Sequence, residues 1–226
     1  MKSWRPKILL IDVYETMLDM SGVEKRINNL LNNRLAYTLW LETFMQYTFV
    51  DNSTLQFNDF NSIAAATLRM TSTVMGRHVE EGAIDEILLV MKHLPLKDGV
   101  QQGLSQLIDR QFRLAALTNC PEQMVQERME RTGLVSYFEK VLSAEHVQKY
   151  KPAKIVYDWA ANSLKALPEE ILLVSAHGWD IAGAENAGMQ TAYIDQPGQV
   201  LYPLAPRPKF ICKDLRDLAR QLEAFE

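Results

Sequence analysis

Cysteine is nearly absent. The 226-residue chain has two, Cys120 and Cys212, far apart and without a C-x-x-C spacing. That excludes a disulfide framework and a cysteine-based zinc site, and it fits a reducing compartment. Long apolar runs are missing too. The first run, Ile8–Ile11, is too short to cross a bilayer. The six residues Met1 to Pro6 lack the apolar region of a signal peptide. We therefore expect a cytoplasmic protein with no membrane partner. There is no basic block, and the formal net charge is -4, so nucleic acid is not an expected partner. Low-complexity segments and internal repeats are absent. What remains is an ordinary globular composition, 47% apolar and 23% charged. The chain is long enough for one large domain or a core with an insertion.

Ile8–Ile11 is a short continuous apolar run, the pattern of a strand buried on both faces. Similar runs recur at Leu114–Leu117, Ile171–Val174, Thr191–Ile194 and Phe210–Cys212. Helical patterns lie between most of them, at Gly99–Arg110, Pro121–Thr132, Ala153–Leu167, Asp180–Asn186 and Leu215–Phe225. This alternation predicts an α/β fold with a doubly wound parallel sheet. From Ser21 to Leu94 the pattern breaks. The segments "RLAYTLWLETFMQYTFV" and "FNDFNSIAAATLRMTSTVM" carry apolar residues at helical spacing, with Asn58-Asp59 as a cap before the second. "EGAIDEILLVMKHL" gives another helix, stopped by Pro95. We expect a core of residues 1–18 and 96–226 and an all-helical insertion of residues 19–95. The insertion would cover the carboxyl ends of the strands, where α/β sheets bind ligands.

The strand ends carry the chemistry. Asp12 ends the first run. Thr118 and Asn119 end the second. Tyr150-Lys151-Pro152 follows, and Ser175-Ala-His177-Gly-Trp179-Asp180 ends another run. Asp12 alone reads equally well as a turn cap. Four polar strand ends in order point to one ligand crevice.

The blocks Asp12-Val-Tyr-Glu-Thr16, Leu117-Thr-Asn119, Lys151-Pro152 and Val174-Ser-Ala-His-Gly-Trp-Asp-Ile-Ala-Gly-Ala-Glu-Asn-Ala-Gly-Met189 resemble those of the haloacid dehalogenase superfamily. The resemblance spans nearly the whole chain. It implies a Rossmann-like core, a helical cap inserted after the first strand, and Asp12 as a covalent nucleophile. Most of the superfamily cleaves phosphates with magnesium. Two positions argue against that here. Tyr14 stands where the phosphatase pattern has its acid, and Ala176 stands where it has a metal carboxylate. The remaining pattern is similar to the L-2-haloacid dehalogenase branch, which works without metal or organic cofactor on a small 2-halocarboxylate. In that branch Asp12 displaces halide, and Lys151 offsets the approach of two carboxylates. Their repulsion is roughly 4 kcal/mol at ~4 Å and an effective dielectric of ~20. The resemblance gives Tyr14, Thr16, Thr118, Asn119, Ser175 and Tyr157 to substrate binding. It has Asp180 orient Lys151 and the site's water. Lys151 also reads as a surface charge before a proline, and Tyr157 as a helix core residue.

Two departures qualify the likeness. The branch has a Trp-Arg-Gln triplet in its cap, whose arginine meets the departing halide. Aligned there, "LWLETFMQYT" keeps Trp40 but puts Leu41 at the arginine and Glu42 at the glutamine. Phe60 and Trp179 match aromatic positions of the halide pocket, and their ring edges carry partial positive charge. Packing explains both aromatics equally well. Second, Glu15 replaces the usual Gly and His177 the usual Asn. We expect these two to form a dyad that activates the hydrolytic water. A solvent-facing Glu15 and a loop-filling His177 are the plainer alternative. Two other readings stay open: a magnesium-dependent phosphatase acting on a small phosphate ester, and a silent member kept for binding. The apolar cap residues Phe44, Tyr47 and Phe49 suit either a homodimer or internal packing. His78, His93 and His146 read as surface or packing residues, and Cys120 as a structural thiol. Gly188 is expected at a left-handed helix cap. The segment "QPGQVLYPLAPRPK" reads as a surface loop.

Overall fold

The computed structural model describes residues 5–223. Six parallel strands form one sheet in the order β3-β2-β1-β4-β5-β6. They are β1 (Ile8–Asp12), β2 (Arg113–Thr118), β3 (Lys140–Ser143), β4 (Ile171–Ser175), β5 (Gln190–Ile194) and β6 (Phe210–Cys212). The run Ile8–Ile11 is apolar throughout because both faces of β1 are covered. Leu9 and Ile11 join one core, and Ile8 and Leu10 join the other. The period of two along a strand makes that division. Helices α5 (Val100–Asp109), α6 (Glu122–Arg131) and α9 (Leu215–Glu223) bury their apolar faces on the first side. Helices α7 (Lys154–Leu164) and α8 (Gly178–Asn186) do so on the second. The chain runs outward from β1 in both directions, so the switch in strand order lies between β1 and β4. Open α/β sheets bind ligands at such a switch, beyond the carboxyl ends of the strands.

Four helices occupy the stretch between β1 and α5: α1 (Ser21–Leu30), α2 (Ala36–Thr54), α3 (Phe60–Val74) and α4 (Glu81–Lys92). The chain leaves and returns through one crossing. Leu18 and Leu96 form an antiparallel bridge, flanked by Asp19 N–H to Pro95 O and Lys97 N–H to Met17 O, both 2.9 Å. Asp59 caps α3 by accepting from the Ser62 amide at 3.0 Å. Helix α1 has only Val23 and Ile27 buried, so its apolar pattern is thin.

Two differences from the sequence expectation have local causes. Strand β3 was not foreseen. It is a four-residue edge strand with only Leu142 and Ser143 buried, too short and too polar to read as an apolar run. Helix α7 stops three residues before Leu167, because Lys165 turns left-handed at φ 53°. The helix expected over Leu215–Phe225 is seen to Glu223; Ala224 and Phe225 lie outside the described residues, as does most of the N-terminal segment. Gly188 has φ 86° just past α8. His146 stacks on Trp159 at 4.7 Å between centroids.

One hydrogen-bond clamp ties α2 to the loop that carries Lys151. The Asn52 amide donates to Tyr150 O at 2.8 Å and accepts from Tyr150 N at 3.0 Å. Tyr150 Oη donates to Asn58 O at 2.6 Å. Replacing Asn52 with Ala leaves two partly buried backbone groups without partners. We expect a loss of about 1–3 kcal/mol in urea unfolding. An unchanged midpoint would mean that water replaces the amide at no cost.

Candidate active site

Asp12 lies at the end of β1, 3% exposed. Each of its oxygens is engaged. Lys151 Nζ donates to Oδ1 at 2.7 Å. The Thr16 hydroxyl donates to Oδ2 at 2.8 Å, and His177 Nδ1 lies 3.2 Å from the same atom. Thr16 is held in turn by the Ala176 amide, which donates to its oxygen at 3.0 Å. Burial alone raises the Asp12 pKa, but Lys151 and His177 outweigh it and hold the carboxyl well below its ordinary range.

The network continues at both ends. Lys151 Nζ also donates to Asp180 Oδ2 at 2.7 Å and to Leu117 O at 3.3 Å. Tyr157 Oη donates to Asp180 Oδ1 at 2.6 Å. Burial lowers the Lys151 pKa, yet Asp12 and Asp180 together raise it above the ordinary lysine value. At the other end, His177 Nε2 lies 2.9 Å from Glu15 Oε2. Glu15 Oε1 accepts from Tyr37 Oη at 3.0 Å, and Oε2 accepts from Gln199 Nε2 at 3.3 Å. Burial raises Glu15, but the His177 and Tyr37 bonds bring it below its usual value. Burial would lower His177; its bonds to Asp12 and Glu15 overcome this and lift it to about 9. At neutral pH His177 is therefore an imidazolium between two carboxylates.

Glu15 holds this position at a backbone cost. Its φ is 55°, in the left-handed region that non-glycine residues enter at roughly 1 kcal/mol. Lys97 Nζ donates to the Glu15 carbonyl and to Gln196 Oε1, which secures the turn.

A cavity of about 60 Å³ opens in front of Asp12. Tyr14, Trp40, Leu41, Phe44, Phe60 and Trp179 supply most of its apolar wall. Phe44 and Phe60 meet edge-on at 4.9 Å, and Trp179 stacks on His177 at 5.0 Å. A second cavity of about 600 Å³ lies against Glu15, His177 and the loop Gln196–Val200.

Of the residues singled out by sequence, Asp12, Tyr14, Glu15, Trp40, Phe60, Thr118, Asn119, Lys151, His177 and Trp179 line the small cavity. Thr16, Ser175, Tyr157 and Asp180 do not. Ser175 accepts the His177 amide at 3.2 Å. Tyr157 is fully buried in the core behind Asp180. Glu15 does not point to solvent; it faces His177. Phe44 packs inward, 4% exposed, and Phe49 meets Trp179 at 6.3 Å. Sequence reading missed Tyr37, Lys97, Gln196 and Gln199 around Glu15. The last two belong to the segment read as a plain surface loop. It also missed Arg128 behind Tyr14. Helix α6 carries many charges, and nothing in its pattern marks this one as buried.

The family model described as haloacid dehalogenase-like hydrolase matches residues 24–194, well over half of the chain. The chain belongs to that family. Its relatives include an (S)-2-haloacid dehalogenase of Pseudomonas sp. (strain YL), 27% identical over 97% of this chain and 94% of the relative. Another is haloacetate dehalogenase H-2 of Moraxella sp. (strain B), 26% identical over 89% and 91%. Among solved structures, the L-2-haloacid dehalogenase of Xanthobacter autotrophicus with chloropropionic acid covalently bound superposes with a TM-score of 0.89. It is 21% identical, with 98% of this chain and 100% of that one covered. A HAD-hydrolase of Bacillus subtilis bound to magnesium also superposes, with a TM-score of 0.76 and 20% identity over 96% and 99%. At these identities the superpositions speak for the fold.

The His177 shift has a stability consequence. Its folded value, about 9, lies above the unfolded value near 6.5. The imidazolium thus favours the folded state. That contribution is full below about pH 6.5 and is lost as pH rises through about 9. Wild type should lose its advantage over His177→Asn, by an order of a few kcal/mol, between about pH 6 and about pH 10. A pH-independent difference in denaturant melts would contradict the ion-paired imidazolium.

Proposed function

We propose that the protein is a hydrolytic dehalogenase of short 2-haloalkanoic acids that works through an ester on Asp12. The observation that carries this reading is an ionised, buried Asp12 held between Lys151 and His177, facing a small aromatic cavity. The names of its curated relatives agree with that substrate class. The helices α1–α4 serve as the cap that excludes water from it.

In the first step an Asp12 oxygen attacks C2 and the carbon–halogen bond breaks. The halide leaves with the bonding electrons, and an aspartyl ester remains. Lys151 and the His177 imidazolium keep the nucleophile ionised and offset the charge of the arriving carboxylate. Thr118 and Asn119 present polar groups to that substrate. In the second step water attacks the ester carbon of Asp12. The 2-hydroxy acid leaves and the Asp12 carboxylate returns, with one proton released overall.

An imidazolium cannot accept the proton of that water. The first step itself resolves this. Esterification removes the Asp12 charge, and with it one of the two anions that hold the His177 proton. Neutral His177 then acts as the base, oriented by Glu15. Its displaced proton leaves past Glu15, toward the larger cavity. His177→Asn or His177→Ala should therefore form the ester and fail to hydrolyse it. Mass spectrometry of the intact variant with L-2-chloropropionate should show the adduct accumulating; normal turnover would refute the dyad.

The donor set does not fit a catalytic magnesium. Of the three carboxylates at the site, Asp12 and Asp180 are bridged by the Lys151 ammonium and Glu15 is paired with His177. Positions 14 and 176 offer no carboxylate. Among the described residues, no group of three or more His, Cys, Asp or Glu is arranged to hold a metal. We expect halide release from L-2-chloropropionate that survives EDTA and falls at least a thousandfold, on the order of 4 kcal/mol, in Asp12→Ala. Magnesium-dependent phosphate release from p-nitrophenyl phosphate without halide release would establish the phosphatase instead.

A further inference from the structure

Arg128 is a buried cation with no counter-anion among the described residues. It lies on α6 and is 1% exposed. Its Nη1 donates to Tyr14 Oη at 2.6 Å, and its Nη2 donates to the Met91 carbonyl. Cys120 Sγ is 4.0 Å away. Nε has no hydrogen-bond partner among the described residues. Among those residues no carboxylate pairs with it, and burial pushes the Cys120 thiol up to about 11, so no thiolate balances it. A guanidinium stays protonated in proteins. Keeping one buried and uncompensated is costly.

Tyr14 separates this charge from the cavity. Tyr14 lines the cavity beside Phe60 and Met91; Arg128 does not. The guanidinium carbon is 4.8 Å from the centre of the Tyr14 ring. The Tyr14 hydroxyl accepts from Arg128, and its own proton faces only sulfur, Cys120 Sγ at 3.4 Å and Met124 Sδ at 3.6 Å. Sulfur is a weak acceptor. A hydroxyl polarised by a charged donor and poorly used as a donor itself is suited to an anion.

Among the described residues, no other free cation lines the cavity. Leu41 supplies no charge to its wall, and Lys151 and His177 are committed to Asp12, Asp180 and Glu15. We propose that Arg128, acting through the Tyr14 hydroxyl, holds the halide as it leaves C2. The assignment rests on the dehalogenase reading. Charge gathers on the halogen as the Asp12 ester forms, and the Tyr14 O–H, with the cation behind it, turns from Cys120 and Met124 toward the cavity to meet that charge. No proton moves, because burial keeps the phenol protonated. Arg128 is a positioning residue; Tyr14 is the group that touches the halide.

The test measures halide binding and turnover separately. Saturable broadening of the chloride NMR line reports binding with no haloacid present. Arg128→Met and Tyr14→Phe should each weaken chloride binding about tenfold or more, with Arg128→Lys intermediate. Both should slow 2-chloropropionate more than 2-bromopropionate, since chloride is the poorer leaving group. A purely structural Arg128 would lower both rates equally. If Arg128→Met does not fold, Tyr14→Phe decides alone. No saturable chloride binding in wild type, or binding and chloride-to-bromide rate ratio unchanged in folded variants, would overturn the assignment. Halide release without Arg128-dependent binding removes this inference alone. Arg128-dependent chloride binding without halide release removes the dehalogenase reading and the leaving-group role with it, and leaves Arg128 and Tyr14 as a chloride site.

Discussion

Buried charges of alternating sign hold this site together. Glu15, His177, Asp12, Lys151 and Asp180 follow one another at 2.7–3.2 Å, and Tyr157 closes the row. Each charge would be expensive to bury alone. Each is tolerated because its neighbours have the opposite sign and direct hydrogen bonds satisfy its lone pairs and protons. The arrangement is therefore collective. Deleting one member leaves its neighbours charged, dry and short of a partner, which is worse than never having buried the pair. Such a row also restricts rotamers. Lys151 has three protons and three acceptors in Asp12, Asp180 and Leu117 O, so its ammonium has little freedom to wander.

The sheet makes the row possible. Strands β1, β2 and β4 end together at the switch in strand order, which brings Asp12, Thr118 and Ser175 to one edge. Strand register and the apolar covering on both faces fix those ends. The helices between β1 and α5 then supply what a sheet edge cannot, an apolar wall of Trp40, Leu41, Phe44 and Phe60. The Asn52–Tyr150 clamp links that wall to the Lys151 loop. Cavity and ion row thus rest on the same contacts.

The fold was legible where local pattern and tertiary role coincide. Apolar runs such as Ile8–Ile11 and Ile171–Val174 mark strands covered on two faces, and the helical spacing in α2 and α3 marks their buried sides. Strand β3 was hidden because an edge position needs few apolar residues. At the site, the polar strand ends and the pairing of Glu15 with His177 were readable, since unusual residue types stand at turn positions. Their protonation states were not readable. A histidine in sequence carries no sign of the two carboxylates that will flank it. Arg128 was hidden for a related reason. On a helix with Glu122, Glu127, Glu130 and Arg131, one more charge looks like a solvated face. Only the fold turns it toward Tyr14. Gln196 and Gln199 likewise look like loop residues until the loop meets Glu15.

The position of Glu15 shows what the row gains from its outer member. Glycine would relax the left-handed turn there at no steric cost, so backbone stability argues against a glutamate. Side-chain energetics argue the other way. Without Glu15, His177 would answer to Asp12 alone, and in the proposed cycle it would lose its last anion on esterification, with nothing to orient the ring. With Glu15 present, one anion remains after the central charge has gone. The imidazole keeps its orientation while its hold on the proton weakens. In the proposed cycle, a permanent carboxylate outside and a consumable one inside would give His177 opposite protonation states in the two halves of one turnover. The backbone strain at residue 15 is small against that requirement.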